Sequence, residues 1–132
     1  MKAAIYCKSV TGSSAVAQER HLRRLCKTRG WAVSKVYVDQ PSRPSRLASG
    51  KARLSLITDV LADDAKYGVV CVWHIGMLGH AIDDLLWTLD EIHVSRRIQI
   101  VAPGDDGLDT TVGDGMATKV IRALAAVGRT GT

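Results

Sequence analysis

Phenylalanine is absent from the chain, and aromatic residues make up only 5% of its 132 positions. The interior must therefore be filled by Leu, Val, Ile, Ala and three Trp. Cys7, Cys26 and Cys71 are odd in number and widely spaced, with no CxxC pair. That argues against a disulfide framework or a zinc knuckle and for buried, reduced thiols. No apolar run approaches a membrane span. Lys2 leads straight from Met1 into a short strand without a leader pattern, so the cytoplasm is the expected location. No GxxxxGK[ST] loop occurs, and the aspartates of 105–114 lack the D-x-D-x-D-G order of a calcium loop. No metal or cofactor is expected. There is no internal repeat, and a single domain over 1–132 suits the length.

What is present is an alternation of strand and helix patterns. "KAAIYC" (2–7) and "VVCVW" (69–73) are unbroken apolar runs, as strands covered on both faces are. "WAVSKVYV" (31–38) and "RIQIVA" (97–102) are rich in β-branched residues and supply two more strands. Helical spacing governs 14–29, where Ala15, Leu22, Leu25, Cys26 and Arg29 recur and Gly30 follows as a stop. It governs 53–66 through Leu54, Ile57 and Leu61, and 82–93 through Ile82, Leu85, Leu86, Leu89 and Ile92. Met116, Val120, Leu124 and Val127 make a seam along a last helix. The implied fold is α/β, a mainly parallel sheet of four or five strands with helices on both faces.

The working crevice of such a sheet lies at the carboxyl ends of its strands. Four segments end there: "KSVTGSS" (8–14), the Pro/Arg loop 39–50, "HIGMLGH" (74–80) and the Asp/Gly loop 103–115. The balance is basic, with 18 Lys and Arg against 13 acids and a net charge of +5. That fits a nucleic-acid partner without establishing one. Arg43, Arg46, Lys51 and Arg53 form a basic cluster on and beside the Pro/Arg loop. It reads either as a solvated surface or as a set of phosphate contacts.

Read with these motifs, the chain resembles the catalytic domain of serine site-specific recombinases, the resolvase/invertase family. "AAIYCKSVTGSS" is similar to the family's opening strand and nucleophile loop. "RGWAVSKVYVD" is similar to its approach to the second strand. "VVCVWHIGMLGHAIDDLL" follows its third strand, catalytic loop and next helix. "GLDTTVGDG" and "VIRALAAVGR" are similar to the run into its long pairing helix. The resemblance implies a three-layer resolvase-like fold, a phosphoserine intermediate on DNA, and a homodimer built on the last helix through Met116, Val120, Leu124 and Val127. It also implies that a separate DNA-binding domain is not part of this chain.

The reactive positions depart from the family. The resemblance puts the first active-site arginine at Lys8, the nucleophilic serine at Val10 and the arginine near the second helix at Lys51. It puts the Asp-Arg pair of the third loop at Gly76 and Met77, the next arginine at His80, and a glutamate at Ala126. Valine forms no phosphoester, and glycine and methionine carry no charge with which to neutralise a phosphoryl transition state. The expectation is a recombinase-fold domain without strand cleavage, acting through protomer pairing, a partner, or weak DNA binding. Three alternatives stand beside it. One is an active recombinase using Ser9, although a neighbour of the nucleophile position points to the opposite face and suits a cap or solvent. Another is a small anionic ligand held by Lys8 and helix-start amides. The third, a metal site on His74, His80 and Asp84, lacks a closed ligand set.

Overall fold

A computed structural model describes residues 1–10, 14–40, 50–62, 67–79, 81–112 and 115–130. Its first strand, β1 (Lys2–Lys8), lies inside the sheet and is buried from Ala3 to Cys7, which follows from an apolar run with no polar interruption. β2 (Ala32–Asp39) and β3 (Val69–Val72) flank it in parallel. β4 (Gln99–Ala102) continues in parallel, and the two-residue β5 (Leu108–Asp109) closes the edge antiparallel. The order is β2-β1-β3-β4-β5. The expected mainly parallel sheet is present, and β5 adds an antiparallel edge inside the segment read as the Asp/Gly loop.

Side-chain alternation splits the interior into two cores. Ala3, Ile5 and Cys7 of β1, with Val69, Cys71 and Val101, face α1 (Ala15–Arg29) through Leu22 and Cys26. Ala4, Tyr6, Val70, Val72 and Ile100 face the other way. There they pack with α2 (Lys51–Ala62), α3 (Ile82–Leu89) and α4 (Met116–Thr130) through Leu56, Leu89 and Ile121. α1 begins where Ser14 Oγ accepts the Ala17 N–H at 3.1 Å. It ends at Gly30, whose φ of +74° turns its N–H back to Cys26 and Lys27 carbonyls.

Two patterns differ from the sequence reading. The 82–93 stripe is not one α-helix: α3 stops at Leu89 and a π-helical turn runs over Asp90–Ser95. Its first stripe residue, Ile82, is exposed. α2 starts two residues earlier than expected, because its first turn is capped from outside, as described below. Among the described side chains of α4, Ile121 and Ala125 are buried, whereas Met116, Val120 and Val127 are exposed and Leu124 is half-buried. Three of the four seam residues thus face outward, while Leu124 packs against the core. Among the described residues no helix is long and apolar enough to cross a membrane.

Candidate functional site

The sheet order reverses direction between β1 and β3, so the crevice opens above their carboxyl ends. Lys8 at the end of β1 stands beside Asp39 at the end of β2, and the Ser9 N–H donates to the Asp39 carbonyl at 3.0 Å. On the other side the Gly104 N–H donates to the Trp73 carbonyl at 2.8 Å, joining the segment after β4 to the one after β3. A Cβ on Gly104 would lie 2.6 Å from that carbonyl oxygen and 2.7 Å from the Trp73 indole nitrogen, so only glycine fits this approach. The described parts of all four carboxyl-end segments therefore meet at one edge.

Asp39 is the hub of that edge. Its carboxylate is buried and accepts the Tyr6 hydroxyl at 2.7 Å and the Ala52 and Arg53 N–H groups at 2.9 and 3.0 Å. A residue from the end of β2 thus caps the first turn of α2, which explains why α2 begins at Lys51. Burial, then the hydrogen bond to Asp39, pushes the Tyr6 phenol far above its ordinary value, so it serves as a neutral donor. Arg53, grouped in sequence with the basic loop, turns inward: its side chain is only 13% exposed and pairs with Asp84 at 3.4 Å. Asp84 also accepts the Ala81 N–H at 2.7 Å, capping α3.

β1 is fixed from the opposite face. Buried Gln18 of α1 accepts the Lys8 N–H at 3.0 Å and donates to the Lys8 carbonyl at 2.8 Å. Ser9 Oγ accepts the Ala15 N–H at 3.2 Å. The Ala15, Ala17, Ala52 and Arg53 amides at the starts of α1 and α2 are therefore engaged by Ser9, Ser14 and Asp39.

The segment after β3 is held by Asp105, which takes the Ile75 N–H at 2.7 Å and His74 Nδ1 at 2.9 Å. Because a carboxylate only accepts, Nδ1 carries the proton in this pair. The turn Ile75–Leu78 then drives Met77, 6% exposed, and fully buried Leu78 into the core beside α3. Val10 is exposed and Gly76 is exposed. Lys51 is exposed at the start of α2, and Lys8 is half-buried. Ala126 lies half-buried on α4, away from this edge in sequence and on a different element. Arg43, Arg46 and His80 lie outside the described residues. Of the metal set, His74 pairs with Asp105 and Asp84 with Arg53, and no group of three metal-type ligands occurs among the described residues.

Sequence reasoning did not single out Tyr6, Gln18, Asp39 or Asp105. Asp39 had a signal, as the one acid closing an apolar strand, since a buried carboxylate needs several donors. Gln18 sat on the apolar stripe of a helix, where a polar residue implies a specific bond.

No family model matches the sequence, and no curated protein does. Solved structures do match. The chain superposes on the N-terminal catalytic domain of TP901-1 integrase with a TM-score of 0.74 at 24% identity, covering 98% of this chain and 95% of that one. It is similar to a resolvase family site-specific recombinase from Streptococcus pneumoniae with a TM-score of 0.76 at 17% identity, over 98% and 88% of the two chains. The C-terminal catalytic domain of ISC1926 TnpA, an IS607-like serine recombinase, matches with a TM-score of 0.54 at 18% identity, over 77% and 70%. With its sheet order, its crevice and these likenesses together, the chain has the fold of the serine recombinase catalytic domains.

Proposed function

We propose that this domain works in DNA recombination without cutting DNA, by pairing with a second copy and holding DNA weakly. The observation that carries the reading is Met77. At the position where the resemblance puts a phosphate-binding arginine, the side chain is apolar and packed into the core. The loss is thus more than a missing charge, because the loop that would present it is part of the fold. Val10 at the nucleophile position and Gly76 beside Met77 support the same reading. Ser9, the remaining hydroxyl candidate, has its oxygen engaged by the first turn of α1, where it accepts the Ala15 N–H rather than meeting a base that would activate it.

Pairing would use the outer seam of α4, where Met116, Val120 and Val127 are exposed. DNA would meet Lys51 and the segment carrying Arg43 and Arg46, with affinity that is indifferent to sequence and falls with salt. The test of the central claim is to incubate the protein with supercoiled DNA, denature, and look for nicking and a covalent adduct. No adduct is expected from the wild type or from Val10→Ser. An adduct mapped by mass spectrometry to Ser9 would overturn the reading and establish an active recombinase domain.

A further inference from the structure

α1 is the helix that covers its side of the sheet, and its two faces differ sharply. Ala15, Gln18, Leu22 and Cys26 are buried against β1 and β3. Arg20, Arg23, Arg24 and Lys27 are exposed and recur at steps of three and four, so they form one stripe along the outside. A single acid answers them, Glu19, paired with Arg23 at 2.7 Å. Arg20, Arg24 and Lys27 make no ion pair among the described residues. Solvated helices commonly interleave both signs, because like charges three and four apart repel. Here the repulsion is left in place.

At its crevice end the stripe meets an aromatic ledge. His21 of the same helix lies against Trp73, with ring centroids 5.4 Å apart and planes tilted by 33°. From Arg20 to Lys27 the helix rises about 10 Å. Duplex DNA carries a charge roughly every 1.7 Å of its axis, so a stripe of this length meets several phosphates.

The geometry points to the outer face of α1 as a second DNA-binding surface, one that takes the phosphate backbone of duplex DNA. Charge complementarity selects that occupant: long cations without acidic partners, in a row, beside flat rings. α2 and Lys51 belong to the opposite face of the sheet, so the two basic surfaces can hold two duplex segments at once. The inference rests on the proposed function only in taking DNA as the polyanion, and it does not depend on whether the domain cuts.

The experiment compares wild type, a triple variant (Arg20→Glu, Arg24→Glu, Lys27→Glu) and a loop variant (Arg43→Ala, Arg46→Ala). All three are checked by circular dichroism and urea melting; the triple changes are on exposed positions and leave the buried face intact. Fluorescence anisotropy with a random-sequence duplex is read against salt, and energy transfer between two differently labelled duplexes reports bridging. The triple variant should lose about tenfold or more in affinity and about two to three units of salt slope, at about 0.9 per phosphate contact. It should also abolish bridging in the presence of an unaltered loop. Arg20→Lys with Arg24→Lys should retain binding, since charge rather than fork geometry is at work. An unchanged affinity and slope in the triple variant would make the stripe a solvated surface and overturn the inference. So would binding to phosphatidylserine vesicles in place of DNA. Loss in the loop variant alone would leave the loop contact of the proposed function standing while this surface falls; loss in the triple variant alone would do the reverse. The adduct assay stands apart from both.

Discussion

The Tyr6 hydroxyl donates to Asp39 Oδ2 at 2.7 Å across 33 residues of sequence, and the same carboxylate receives the first turn of α2. One side chain therefore fixes the end of β2, a buried phenol of β1 and the start of a helix. Asp39→Ala strips the cap and leaves the Tyr6 hydroxyl buried without its acceptor. The expected loss is about 2–4 kcal/mol, from a helix cap and a stranded donor together. Urea denaturation measures it, and a midpoint within error of wild type would show that water replaces the carboxylate.

Met77→Arg should damage the fold and restore no chemistry. An unpaired charge forced into the core costs about 3–5 kcal/mol. Val10→Ser, on an exposed position, should cost less than about 0.5 kcal/mol. Thermal melting of the two single variants, read beside the adduct assay, separates the effects. A Met77→Arg protein as stable as wild type would mean that the loop can swing out of the core.

Neighbouring residues of α4 should answer a charge in opposite ways. Val120 is 42% exposed and Ile121 fully buried. Val120→Asp should stay folded and sediment as a monomer, where the wild type should show a concentration-dependent monomer–dimer mixture. Ile121→Asp should unfold. Identical monomer profiles for wild type and Val120→Asp would refute pairing through this seam.

Asp109 ties β5 to α1: its carboxylate takes the Arg29 guanidinium and both the N–H and hydroxyl of Thr111. Burial pushes its pKa up, but the Thr111 bonds and Arg29 outweigh it, and the net direction is down. A carboxyl whose folded pKa is depressed stabilises fully above its unfolded value, near 3.9, and loses that contribution as pH falls through the folded value. Asp109→Asn should therefore be less stable than wild type at neutral pH, by about 1–3 kcal/mol. The gap should narrow as pH drops below about 4. Urea melts across pH test this, and a gap independent of pH would assign the loss to packing.

The three thiols should be silent in the native protein. All are fully buried, and Cys26 and Cys71 face each other with sulfurs 3.7 Å apart. Burial pushes the Cys7 thiol up to about 12, which removes its thiolate at neutral pH. A chromogenic disulfide reagent should release colour only in denaturant. Rapid release from folded protein would reveal opening of the layer between α1 and the sheet.

The layers of the fold were legible because apolar periodicity reports burial directly. Unbroken runs such as "AAIYC" become interior strands, and the stripe through Leu22 and Cys26 becomes the inner face of α1. Local patterns could not say which way a stripe faces when both sides of a helix are moderately apolar. The α4 seam through Met116, Val120 and Val127 lies outward because Ile121 and Ala125 fill the core. Nor could charge alone foretell Arg53, whose partner Asp84 comes from a helix 31 residues on and meets it only after folding. At the crevice, Val10, Gly76 and Met77, which the resemblance aligns with reactive positions, were visible in the sequence. The hydrogen bonds that occupy that edge were not, because Gln18, Asp39 and Asp105 act through tertiary neighbours.

The burial of Met77 bears on which sequences lie within reach of this one. A mutational path that brings an arginine to position 77 should cross a poorly folding intermediate before any gain in activity can favour it. Repacking around Leu78 and Leu89 would have to come first, through changes that have no catalytic benefit of their own. Position 77 is entrenched in that sense: its present residue is held by its neighbours, whatever the chemistry of its surroundings. Exposed Val10 and Gly76 carry no such debt and can vary independently of the core.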